Sequence, residues 1–171
     1  LSFKNDLELA ESIIKISNKM GIPSGGLNES LSLRYRITGE LDHGALVPLY
    51  FVANEYKKFN LVHISIAGLS FNELYRFGCC ISQAINLTER KVVFIASGDL
   101  SHKLKEDGPY GFDSSGPEYD RKLVEYLKVP DPSGLLQFNE SYLEKAGECG
   151  LRSFIMMFGA FDGKGLKSEV Y

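Results

Sequence analysis

Short apolar runs alternate with longer segments of helical period along this chain, and that alternation most limits what it can fold into. "LVHISIAGL" comes first, "SFNELYRFGCCISQAIN" follows, and "KVVFIAS" closes the set. A run of four to eight residues rich in Val and Ile, bounded by turn residues, reads as a buried strand; the longer segment reads as a helix. "LSLRYRITG" alternates from Leu31 to Ile37 and predicts a further strand, with Leu31, Leu33, Tyr35 and Ile37 on one side. Strands separated by helices build parallel βαβ units with right-handed crossovers. The expected fold is therefore α/β, a three-layer α/β/α domain around a mainly parallel central sheet.

Local signals place the helices. Asn5 with Glu8 predicts a capping box, and apolar residues then recur at helical spacing up to Gly21. Pro48 stands near the start of a helix running to about Tyr56. Ser70 with Glu73 predicts a second capping box, and Pro117 opens "PEYDRKLVEYL". Two more helical patterns cover 139–146 and roughly 149–161, and "DGKGLKSEVY" reads as a turn into a strand cut short. A length of 171 residues suits one domain.

Charge and cysteine usage remove several classes. The net charge is −3 with no basic cluster, so a nucleic-acid partner is not expected. No stretch approaches the ~20 apolar residues of a membrane span, so no membrane partner is expected either. The three cysteines, Cys79, Cys80 and Cys149, form no C-x-x-C and are odd in number, which fits a reducing, cytoplasmic setting. "LSFKNDLELA" lacks an initiator Met and opens directly into a helix pattern, as a piece of a longer chain would.

Chemistry-bearing residues gather after the apolar runs. In open parallel sheets, ligands bind beyond the carboxyl ends of the strands. The run ending at Ser97 releases Asp99, Ser101 and His102 in quick succession, and His43 follows the strand predicted from Leu31 to Ile37 in the same way. A strand anchored in the core holds its end still, while the loop leaves an imidazole reachable. Either histidine reads equally well as an ordinary loop residue held by its neighbouring acid, Asp99 or Asp42. His63, inside "LVHISIA", reads as a hydrogen-bonded core histidine.

Ser97, Asp99, Ser101 and His102 are too close in sequence for a hydrolase triad, whose members converge from separate segments. Cys149 is either a nucleophile at a helix start or a small buried apolar side chain. The glycines at 108, 111 and 116 spell no phosphate-binding motif. Tyr110 and Phe112 in that loop are candidates for a pocket wall. Glu148 precedes an apolar helix, which explains it as a cap; a carboxylate with two histidines is also the donor set of a facial non-haem Fe(II) site.

At "LDHGALVPLYF", "VVFIASGDLSHKLKEDGPYGFDSSGPEYDRKLVEYL" and "AGECGLRSFIMMFGAFDG" the sequence resembles class III extradiol ring-cleavage dioxygenases. Within them it is similar to the LigB-like catalytic branch found beside or fused to AMMECR1-type domains, with Memo-like proteins as relatives. The resemblance implies His102 as acid–base histidine, supported by Asp99, and His43 as a second pocket histidine. It implies Glu148 as a metal ligand and two further histidine ligands on segments preceding this sequence. The expected cofactor is Fe(II) in the full-length protein, with Zn an alternative, and none held by this piece. The implied partners are a small aromatic substrate and O2, with an AMMECR1-type domain and self-association as further options. A Memo-like scaffold without activity and a metal-dependent enzyme of another class, such as a hydrolase, are the competing readings.

Overall fold

The structure, a computed structural model, describes residues 2–35, 39–66 and 68–171. In chain order the elements are β1 (Lys4–Asn5), α1 (Leu7–Lys19), α2 (Glu29–Tyr35), α3 (His43–Glu55), β2 (Asn60–Leu61), α4 (Phe71–Thr88), α5 (Ser115–Lys128), α6 (Ser133–Leu136), α7 (Glu140–Ala146) and α8 (Leu151–Ala160). They divide into two compact units, Leu1–Ser65 with Cys80–Ile95 and Ile66–Cys79 with Ala96–Tyr171.

Asp6 organises the first unit. β1 and β2 pair in parallel, Lys4 with Asn60 and Asn5 with Leu61. Asp6 extends the ladder by donating its N–H to the Leu61 carbonyl at 3.0 Å. Its carboxylate then starts α1, where Oδ1 accepts the Leu9 N–H at 3.1 Å. Oδ2 accepts from Arg90 Nε at 3.0 Å, and Arg90 also pairs with Glu8. The cap thus falls on Asp6, one residue after the expected Asn5, because Asn5 is engaged in strand pairing. α1 buries Leu9, Ile13 and Ser17, one residue per turn. The Ser17 hydroxyl is satisfied by the Ile13 carbonyl at 2.7 Å. Gly21, at φ +76°, ends the helix in a conformation that suits glycine.

Four strand expectations change. Leu31 to Tyr35 lie in α2, because Asn28 Oδ1 accepts the Leu31 N–H at 2.9 Å and starts a helix locally; Ile37 lies outside the described residues. Of "LVHISIAGL", Leu61 alone among the described residues is in a strand, and His63 is exposed rather than part of a core. Residues 91–97 and 166–171 form no strand among the described residues. An apolar run becomes a strand only where a neighbouring backbone takes its N–H and C=O groups. The ladder here is two residues long, and Val93 is 87% exposed. The class is α/β in the sense of a helix-dominated chain, 51% helix, with a small parallel sheet.

The capping box at Ser70 and Glu73 forms as read, with Ser70 N–H on Glu73 Oε2 at 2.8 Å and Glu73 N–H on Ser70 Oγ at 3.3 Å. α3 begins at His43, capped by Asp42 Oδ1 on the Ala45 N–H at 2.9 Å, so Pro48 lies inside the helix rather than near its start.

The second unit is built on α5 to α8 and the first part of α4. Tyr119, Leu123, Leu135, Leu151 and Ile155 are wholly buried. Each large aliphatic side chain among them contributes about 1.5–3 kcal/mol by leaving water. α4 and α8 cross backbone to backbone at two glycines. A Cβ on Gly159 would lie 2.0 Å from the Tyr75 carbonyl oxygen, and one on Gly78 would lie 2.1 Å from that of Met156. Among the described residues, no helix is long and apolar enough to cross a membrane.

Two outcomes follow from these contacts. Gly159→Ala gains about 1 kcal/mol of helix propensity but forces the α4–α8 crossing apart, an overpacking cost of about 1–3 kcal/mol or more; urea unfolding should show net destabilisation. The Asp6 carboxyl is held below its ordinary 3.8 chiefly by the Arg90 hydrogen bond and then by the Leu9 N–H. Its contribution is therefore present above the ordinary value and lost as pH falls through the lowered one. Asp6→Ala should cost about 1–2 kcal/mol at neutral pH, and the difference from the parent should vanish in strong acid, as read by thermal melts across that range.

Candidate active site

Two loops in the second unit lie against each other, and their hydrogen bonds set the site. One is the segment 98–103 after the apolar run; the other is the join between α7 and α8. Asn139 Oδ1 caps α7 through the Ser141 N–H at 2.9 Å, and Gly147, at φ +64°, ends it. The His102 N–H then donates to the Gly147 carbonyl at 3.1 Å, and the Cys149 N–H to the Asp99 carbonyl at 3.3 Å. Ser101 Oγ donates to the Ala146 carbonyl at 2.7 Å, while its N–H is held by Asp120 Oδ1 at 2.8 Å. Gly98 permits this approach, since a Cβ there would sit 2.4 Å from Gly150 Cα.

The arrangement fixes the His102 imidazole. Nδ1 is hydrogen-bonded to the Gly147 carbonyl. A carbonyl only accepts, so Nδ1 carries the proton and the neutral ring keeps its lone pair on Nε2. Nε2 is turned toward Asp99 Oδ2 at 3.2 Å. The ring is part-exposed, and the Tyr110 ring stands 5.1 Å away, tilted by 45°. Phe112 pairs with Leu104 across an antiparallel bridge at the base of the same loop, and both aromatics are exposed.

Glu148 follows Gly147, whose carbonyl holds His102, and precedes Cys149, which is bonded to Asp99. Its Oε2 accepts the Tyr119 hydroxyl at 3.2 Å and the Leu151 N–H at 2.7 Å. The cap expected of Glu148 at the start of α8 is therefore made. Tyr119 is buried, and burial first, then the Glu148 charge, pushes its phenol well above the ordinary range. The hydroxyl stays protonated and can only stabilise the carboxylate. Among the described residues, both of these bonds fall on Oε2, which leaves Oε1 with its lone pairs. A half-buried carboxylate so oriented is a hard oxygen donor of the kind a facial iron(II) site uses, and it fits one ligand position.

The chain matches, over residues 1–171, the family of the catalytic LigB subunit of aromatic ring-opening dioxygenase. It belongs to that family. It is similar to Protein CA_C1420 of Clostridium acetobutylicum, with 39% identity over 99% of this chain and 36% of that protein. It is also similar to the 3,4-dihydroxyphenylacetate 2,3-dioxygenase of Escherichia coli, with 28% identity over 95% of this chain and 61% of that protein. The chain thus spans between about a third and three fifths of the length of these relatives.

Of the residues singled out in the sequence, His102, Asp99 and Tyr110 come together, with Glu148 beside them in sequence to Gly147 and Cys149. His43 belongs to the first unit, exposed in the first turn of α3. Asp42, a candidate to orient an imidazole, instead caps that helix. Cys149 is exposed and hydrogen-bonded at Sγ to the Asp99 N–H at 3.1 Å, so the buried apolar reading of it does not hold. Sequence reasoning missed Tyr119, whose position within an amphipathic helix gave no sign of a polar contact. A separate surface depression of about 480 Å³ in the first unit, between Phe3, Leu41, Leu46 and Leu61, contains none of these residues.

Tyr119→Phe removes the buried donor from Glu148 and should cost about 1–3 kcal/mol of stability, as expected for a hydrogen bond to a charged group. Equilibrium unfolding of the parent and the variant checks this.

Proposed function

We propose that the protein is an extradiol-type ring-opening dioxygenase that acts on a catechol-like substrate with O2. The single observation that carries this reading is the His102 arrangement: an imidazole pinned through Nδ1 with its Nε2 turned to the exposed Asp99 carboxylate, in a chain of the ring-opening dioxygenase family. Glu148 and two histidines from segments outside residues 1–171 are inferred to hold iron(II). When bound, the metal supplies Lewis-acid and one-electron chemistry toward dioxygen.

The chain's own residues handle protons and position. His102 Nε2 takes a proton from a substrate hydroxyl, and imidazole is the side chain best matched to proton transfer near neutral pH. The Gly147 carbonyl keeps the ring in the tautomer that can accept there. Asp99 stabilises the imidazolium formed, and the proton is available for return as the ring opens. Tyr110 offers an aromatic face against which a planar substrate can lie. Tyr119 orients the Glu148 carboxylate through its hydroxyl, as outer partners of metal ligands do. His43 is assigned a hydrogen bond to substrate by the resemblance alone. The parent architecture inferred is three-layer α/β/α, with residues 61–66 and 92–97 as strands of its sheet; their Val- and Ile-rich composition supports this.

The test uses the full-length protein loaded anaerobically with Fe(II). Catechols should consume one O2 per ring opened, followed with an oxygen electrode and product absorbance. His102→Gln should lower turnover by at least about 100-fold with iron content unchanged. Stoichiometric iron without oxygen uptake on any catechol rejects the reading, and loss of iron in His102→Gln rejects the role given to that residue.

A further inference from the structure

Three lone-pair donors converge at the edge of this site, and the proposed ring-opening role uses His102 and Asp99 but leaves Cys149 without one. The ligand atoms of Asp99, His102 and Cys149 all lie within 4.8 Å of one another. We propose that these three side chains form a binding site for a thiophilic divalent cation of the zinc class, distinct from the carboxylate position at Glu148, and that its occupation silences His102.

The argument begins with a mismatch of charge. His102 Nδ1 faces a carbonyl and carries the hydrogen, so Nε2 of the neutral ring presents a lone pair to Asp99 Oδ2 at 3.2 Å. An ionised carboxylate also presents only lone pairs. Two acceptors at that distance need a positive centre between them. A proton on the imidazole is one solution, and a metal cation is the other.

Cys149 decides which metal fits. Its Sγ accepts the Asp99 N–H at 3.1 Å and donates to the Asp99 carbonyl at 3.9 Å, so the sulfur is held at this edge, and a metal would bind it by displacing the thiol hydrogen. Nitrogen, sulfur and one carboxylate oxygen make the mixed donor set of zinc and cadmium, whereas magnesium and calcium take oxygen throughout. Bonds of about 2.0–2.3 Å in a tetrahedron separate the donors by roughly 3.3–3.8 Å. Asp99 Oδ2 and His102 Nε2 already stand at 3.2 Å, and the Asp99 side chain, 79% exposed, and the exposed Cys149 are both free of close packing that would oppose small adjustments. Three protein ligands leave a fourth position for water.

The surroundings are already those of a metal site. The Gly147 carbonyl on Nδ1 fixes the histidine tautomer, as the outer partner of a ligating imidazole does. The Cys149 N–H on the Asp99 carbonyl, at 3.3 Å, ties two of the ligand backbones together. Asp99 and Cys149 are exposed, which gives a cation a way in. Glu148 does not belong to this cluster; its Oε2 is bonded to Tyr119 and Leu151.

The silencing half of the proposal rests on the proton-handling role given above to His102; the binding half does not. A cation on Nε2 takes the lone pair that would accept the substrate proton.

The purified full-length protein is titrated with Cd²⁺, which reports sulfur ligation by ultraviolet charge-transfer absorption, and with Zn²⁺ by calorimetry. One equivalent of Cd²⁺ should raise the thiolate band. Cys149→Ser should abolish the band and weaken Zn²⁺ at least about tenfold, and Asp99→Asn should also weaken it about tenfold. Glu148→Gln should leave the Cd²⁺ band in place, which separates this site from the iron ligand. Should Cys149→Ser fail to fold, Asp99→Asn, altered at an exposed side chain, carries the binding test. A band that survives Cys149→Ser, or Zn²⁺ affinity unchanged by Asp99→Asn, overturns the site. In the iron-loaded protein, Zn²⁺ should inhibit ring opening, and Cys149→Ser should keep turnover while losing that sensitivity. Inhibition equal in parent and Cys149→Ser overturns the silencing role. Absence of ring opening altogether counts against the dioxygenase reading, and the Cd²⁺ result still decides the site.

Discussion

The seam between residues 98–103 and 146–150 is the contact on which the second unit's chemistry depends. Neither strand is regular there, so its order comes from specific groups. Ser101 is buried and bonds both ways, to the Ala146 carbonyl and through its N–H to Asp120. Gly98 lets the backbones touch. Backbone groups that a sheet or helix would have satisfied are instead satisfied across the seam. One short stretch, 147–150, thereby sets the imidazole tautomer, presents the Glu148 carboxylate and exposes the Cys149 sulfur.

This concentration explains why the site tolerates an irregular scaffold. A carboxylate and an imidazole need fixed directions, and each is fixed by a group that has no alternative. The Gly147 carbonyl cannot donate, so His102 must. The Tyr119 phenol is held protonated by burial and by Glu148, so it cannot compete for a proton. The orientation of the functional atoms thus comes from the chemistry of their neighbours rather than from the length of the elements that carry them.

Much of this was legible in the sequence, and the failures have a common cause. Helices with local start signals were readable: Ser70 with Glu73 and Asn139 before α7 each close a short-range hydrogen bond that needs nothing else. The release of Asp99 and His102 after Gly98 was readable because a glycine ended an apolar run. Strands were not, since a strand is completed by a distant backbone that composition does not reveal; "LSLRY" alternates perfectly yet becomes α2 because Asn28 caps it. Tyr119 was missed for the same reason, and so was the contact of Cys149 with Asp99, as their partners lie 29 and 50 residues away.

The uncovered run at 92–95 has a cost of its own. Val92, Val93 and Ile95 stand in solvent, and such a segment is a template for intermolecular β-pairing and aggregation. The chain flanks it with Glu89, Arg90 and Lys91 on one side and Asp99 on the other. Charges so placed act as gatekeepers: they leave the run free to pair with backbone from its own molecule while opposing stacking with copies of itself.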